Sequence, residues 1–191
     1  MNLDEILHGD TKIIDPIQAK CSMFLEMSGG LPLLKNLPCH YEDFHKVKLR
    51  LRKKQRDDRF AKTFNEAFDE IPHLRQRAMF VNGPESFVAE SGEREPFYIF
   101  PTDGFKFMYS LEVKNSSTDY MEAFDTLLSS VSSGVDNLME QVLKYSYVYE
   151  NLNEGIDHGS EIILFNMPFC YAIRVDCVED YEEILDSAGA A

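Results

Sequence analysis

FKFMYSLEV, residues 105–113, and HKVKLRLRK, residues 45–53, carry the reading of the fold. In the first, Phe105, Phe107, Tyr109, Leu111 and Val113 alternate with Lys106, Met108, Ser110 and Glu112. In the second, Val47, Leu49 and Leu51 alternate with Lys46, Lys48, Arg50 and Arg52. A side-chain period of two belongs to a strand with one face on the core and one in water. Working outward, Arg77–Asn82 and Pro96–Pro101 read as further strands. Asp103-Gly104 reads as a hairpin turn between Pro96–Pro101 and 105–113. Ser160–Phe165 and Phe169–Val175 read as a closing hairpin around Asn166-Met167-Pro168.

Between these runs the period changes to that of a helix. Phe60, Phe64, Phe68 and Ile71 form an aromatic stripe that Pro72 ends. Thr118 or a neighbouring Ser caps a helix running to about Val131, with Met121, Phe124, Leu127 and Leu128 inward. Val135, Leu138, Met139, Val142 and Leu143 form the face of the next helix, and Glu179–Leu185 makes a short acidic closing one. Strands adjacent to strands, mixed with helices, predict an α+β fold with a mainly antiparallel sheet, whole or split. Residues 1–43 read as an N-terminal helical arm, stopped by Gly29-Gly30 after Ile17–Met27. Residues 44–186 read as one core domain, and 187–191 as a frayed tail.

Composition bounds the function. The chain has 191 residues, 44% hydrophobic and 12% aromatic, which suffices for one buried core. Its net charge of -14 disfavours general binding to nucleic acid or anionic membranes. Residues 1–10 are polar and acidic, unlike a signal peptide, and no apolar run reaches the roughly 18–20 residues of a membrane span. The expected setting is the cytoplasm, with Cys21, Cys39, Cys170 and Cys177 as free thiols. Cys39, His40 and His45, and later His158, Cys170 and Cys177, lack metal-ligand spacing, so no metal is expected. Nucleophile-elbow, phosphate-loop and dinucleotide glycine motifs are absent. The basic face of Lys46, Lys48, Arg50 and Arg52 fits a solvated strand, an acidic protein partner or nucleic-acid phosphates.

One ordering of residues is more specific. LRQRAMFVNGPESFVAESGEREPFYIFPTDGFKFMYS, residues 74–110, followed far downstream by SEIILF, residues 160–165, resembles a group of bacteriophage-encoded proteins. It also resembles, distantly, the ADP-ribosyltransferase fold over about Phe44–Val175. The resemblance implies an Arg on the first core strand that holds the phosphates of NAD, here Arg77 or, second, Arg75. A guanidinium suits that role because its planar fork pairs phosphate oxygens bidentately. It implies a Glu at a later strand start, Glu161, that stabilises charge as the bond to nicotinamide breaks. Phe87 and Tyr109 are the rings available to stack on nicotinamide. Three departures accompany the match. Gly159 stands where arginine-modifying members carry a second carboxylate, PFYIFPTDG is aromatic where a Ser/Thr strand is expected, and Ser91 replaces an aromatic residue. The bland alternatives are a solvated or ion-paired Arg77, and a Glu161 that is exposed or paired with Arg174.

Two functions follow as expectations. One is an NAD-using transferase that passes ADP-ribose to a protein or nucleic-acid acceptor in the host cytoplasm. The other is a non-enzymatic phage accessory or virion protein that keeps the fold and binds a protein partner. If the two groups act together, Arg77 and Glu161 must converge on one cleft.

Overall fold

The computed structural model describes residues 14–49, 59–90, 92–114, 116–130, 133–177 and 184–185. The N-terminal residues 1–13, most of the basic block (50–58), residues 178–183, which hold most of the stretch read as a closing helix, and the tail lie outside the described residues. In chain order the elements are α1 (Ile14–Lys20), α2 (Ser22–Met27), β1 (Leu34–Pro38), β2 (Phe44–Lys48), α3 (Arg59–Ala67), α4 (Leu74–Arg77) and β3 (Met79–Asn82). There follow β4 (Arg94–Pro101), β5 (Lys106–Met108), α5 (Ser116–Ser130), α6 (Val135–Ser146), α7 (Leu152–Asp157), β6 (Glu161–Phe165) and β7 (Phe169–Arg174). The fold is α+β. The seven described strands form one sheet in the order β2-β7-β4-β1-β3-β6-β5, every neighbouring pair antiparallel.

The sheet has two parts that meet at a narrow seam. β1 registers with β4 over five positions, from Leu34↔Tyr98 to Pro38↔Arg94, but with β3 only at Leu34↔Asn82. The chain connectivity also shows that the sheet curls. β6 and β7 lie four places apart in the strand order. Four interstrand spacings of a flat sheet come to roughly 19 Å. The four residue steps from Phe165 to Phe169 span at most about 14 Å. Curling brings the strands within reach, and Cys170 Sγ on β7 lies 3.6 Å from Met79 Sδ on β3.

Two of the expected hairpins are therefore not hairpins. β6 pairs with β3 and β5, while β7 pairs with β2 and β4, so Asn166-Met167-Pro168 is a crossover. Asp103-Gly104 does turn the chain, with Gly104 at φ 84, yet β4 and β5 do not pair. Adjacency in sequence suggested adjacency in the sheet, but the strands pair with other partners.

Both faces of the β3-β6-β5 part are covered. Ile162 and Leu164 of β6 point into the larger core with Val81, Phe107, Ile99 and Ala172. Ile163 and Phe165 point the other way, to Phe64 within α3 and Phe68 just after it, Met139 and Leu143 of α6, and Tyr147. A strand covered on both sides needs an unbroken apolar run, which IILF at 162–165 supplies.

The segment read as an arm supplies two helices and the central strand. Ile17, Cys21, Phe24 and Leu25 are buried in the larger core, and Phe24 packs edge-on against Phe100 with centroids 6.0 Å apart. β1 gave no alternating signal because LKNLP buries Leu34 and Leu37, three apart, and leaves the residues between them half-buried.

Other expectations are refined. The 105–113 run pairs only over Lys106–Met108, then at the single bridge Tyr109↔Val148, before turning at residues 111–112. The buried face of α6 is Val135, Met139 and Leu143, whereas Leu138 and Val142 are 40% and 39% exposed. Leu127 of α5 is half-buried; the side chains of Met121, Phe124 and Leu128 lie outside the described residues. Arg77 is not on a strand. Pro72 and His73, the latter in the left-handed region at φ 59, start a helical turn in which the Gln76 and Arg77 amides donate to the His73 carbonyl. Arg77 ends that turn, and β3 begins two residues later.

Candidate functional site

Glu161 is the first residue of β6, opposite Asn82 of β3. Its carboxylate accepts the backbone N–H of Ser116 at 3.1 Å, an unsatisfied donor of the first turn of α5. A carboxylate at that end of a helix also opposes the positive end of the helix dipole. The Ser116 hydroxyl accepts a hydrogen bond from Arg75 at 3.0 Å, so Ser116 bridges Arg75 and Glu161. The Arg75 guanidinium lies 4.4 Å from the Phe80 ring centroid and 5.7 Å from that of Phe64. Next to it, burial pushes the Tyr147 phenol well above its usual range; Tyr120 and the Glu161 carboxylate add to the rise and Arg75 opposes it. Ser116 is fully buried. This is a part-buried polar network in which Arg75, rather than Arg77, is linked to Glu161 through Ser116.

Arg77 is elsewhere. It is exposed and lines a cleft of about 640 Å³ at the far end of β6, with Leu49, Ile71, Leu74, Lys106, Phe165 and Met167 among its other walls. Phe165 is the last residue of β6 and Glu161 the first, a separation of about 13 Å along an extended strand. The structure thus brings Arg77 to a cleft and Glu161 to the α5 N-terminus, and does not bring the two together.

Tyr109 is 1% exposed and its ring faces the larger core, stacked on Phe107 at 6.5 Å between centroids. A Cβ at Gly155 of α7 would meet that ring at 2.7 Å, so the ring is enclosed. Its hydroxyl donates to the Asn151 carbonyl at 3.2 Å, and burial, then the Glu154 carboxylate, raise the phenol. Phe87 is half-buried after the short 3-10 turn Pro84–Ser86, where its amide donates to the Gly83 carbonyl. Arg174 is held by Asp43 at 3.3 Å, by Glu95 at 2.6 Å and by the Tyr41 carbonyl at 2.7 Å, fastening β7 to its surroundings and not to Glu161.

On the basic strand, Lys46 and Lys48 are exposed, and the Lys46 ammonium sits 3.7 Å above the Phe169 ring. Arg50 and Arg52 lie outside the described residues. No group of three or more His, Cys, Asp or Glu among the described residues is placed to hold a metal ion. No helix among them is long and apolar enough to cross a membrane.

Sequence reasoning missed Lys106 as a neighbour of Arg77. The only signal was its place on the polar face of 105–113, and the pairing Lys106↔Phe165 that brings it to the cleft is a tertiary event. No family model, curated protein or solved structure matches the chain.

Proposed function

We propose that the protein is a non-enzymatic binding protein, of the phage accessory or virion kind, on a scaffold that resembles the ADP-ribosyltransferase fold. The observation that carries this reading is the engagement of Glu161. Its carboxylate holds the Ser116 amide at the start of α5, about 13 Å of strand away from the cleft that Arg77 lines. A transferase needs its phosphate-holding cation and its ribose carboxylate on one bound NAD. Here each serves a different part of the molecule.

The transferase reading draws on one observation, the bridge that Ser116 makes between Arg75 and Glu161. It requires that pair, both half-buried, to meet a ligand while Glu161 is engaged by the Ser116 amide.

The test is incubation of the purified chain with millimolar NAD, following nicotinamide release by chromatography and binding by calorimetry. No release above the buffer rate is expected. Release that Glu161→Ala removes, in a variant that circular dichroism shows to be folded, would overturn the proposal.

A further inference from the structure

We infer that the cleft beneath Arg77 and Lys106 binds a small organic anion, with a phosphate or carboxylate head on an apolar body; this rests on the binding-protein reading above. The volume of about 640 Å³ falls inside the roughly 300–1,000 Å³ range of small-molecule sites. Its lining combines apolar side chains with the charged Arg77, Lys106 and Glu70. Leu74, Phe165 and Met167 are buried, and Leu49 and Ile71 are half-buried. Arg77 and Lys106 are both exposed, and neither is ion-paired among the described residues. That is notable in a chain with 33 acidic and 19 basic residues, where carboxylates are abundant.

The other polar lining side chains are Asn166 and Glu70. The Asn166 amide donates to the Gly104 carbonyl at 3.0 Å. Glu70, which is exposed, is the one carboxylate among the described lining residues, against the two cations Arg77 and Lys106. A guanidinium fork and an ammonium at one concave, apolar-walled surface recognise an anionic head, and the walls take an aliphatic or aromatic body.

The probe is anilinonaphthalene sulfonate, an aromatic body with an anionic head, titrated by fluorescence into the intact chain. Displacement is then measured with decyl phosphate, decanoate and decanol. Saturable enhancement is expected, displaced by an anionic chain and not by the alcohol; the stronger of decyl phosphate and decanoate identifies the head group. R77M/K106M, which keeps the aliphatic stems at two exposed positions, should weaken the anionic competitor by about tenfold or more. Circular dichroism confirms that the variant is folded.

Lack of saturable binding by the dye and both anionic chains would overturn the inference. So would equal displacement by decanol, or unchanged affinity in R77M/K106M. None of these readings depends on nicotinamide release, so failure here is distinct from failure of the binding-protein reading.

Discussion

The backbone N–H of Ser116 donates to the Glu161 carboxylate at 3.1 Å, tying the first turn of α5 to the first residue of β6. The contact spans 45 residues of sequence and ends on a fully buried serine. Glu161→Ala leaves that amide without a partner and should cost about 1–3 kcal/mol, whereas Glu161→Gln keeps an acceptor and should cost roughly half as much. Urea unfolding of the three proteins checks the order. Equal midpoints for wild type and the Ala variant would show that the contact contributes nothing.

Two glycines are expected to differ because of what faces them. A Cβ at Gly83 would come within 2.2 Å of the Ile156 carbonyl oxygen, which is backbone, while one at Gly155 would meet the Tyr109 ring at 2.7 Å. Overpacking of a well-filled core costs typically about 1–3 kcal/mol, and more where the obstacle cannot rotate away. Gly83→Ala should therefore lower the denaturation midpoint further than Gly155→Ala. Tyr109→Leu should soften the effect of Gly155→Ala in a double-variant comparison and leave that of Gly83→Ala unchanged.

Arg59 grips Asp136 through Nε at 2.8 Å and Nη2 at 2.9 Å, joining α3 to the first turn of α6. The Arg59 hydrogen bond holds the Asp136 carboxyl below its usual range. A depressed folded pKa contributes stability above the unfolded pKa, and that contribution fades as pH falls through the folded value. Asp136→Asn should thus lose stability at neutral pH and converge with wild type in strong acid. Both groups are half-exposed, so the difference should be small and should shrink in high salt. Unfolding midpoints across an acid-to-neutral series, with and without salt, measure it.

The cysteines, all unbridged, should react in a fixed order. Cys39 is exposed; Cys21 and Cys170 are buried. Burial pushes the Cys21 thiol up to about 12 and that of Cys170 higher still. Cys177 is pushed up to about 12 by burial and by the Asp43 and Asp176 carboxylates. Since the thiolate is the reactive form, iodoacetamide at neutral pH should label Cys39 first, Cys177 slowly, and Cys21 and Cys170 only on unfolding. Peptide mapping by mass spectrometry gives the order, and early modification of Cys170 would contradict this packing.

Local pattern already determined much of the molecule. The α+β class, the start of the strand read at 45–53 and found over Phe44–Lys48, the Phe64/Phe68 stripe and the apolar run IILF are all legible from spacing, because a side chain's face follows from backbone period alone. Tertiary structure decided which strands pair. Three residues after Phe165 suggested a hairpin, but the curled sheet places β4, β1 and β3 between β6 and β7, with β6 paired to β3 and β5 and β7 to β2 and β4. The same choice put LKNLP at the centre of the sheet without an alternating signal, and set Lys106 beside Phe165, and so beside Arg77. It also gave Glu161 to the α5 N-terminus. Residue type could mark Arg77 and Glu161 as capable of chemistry, but whether two side chains meet depends on long-range packing that no local period encodes.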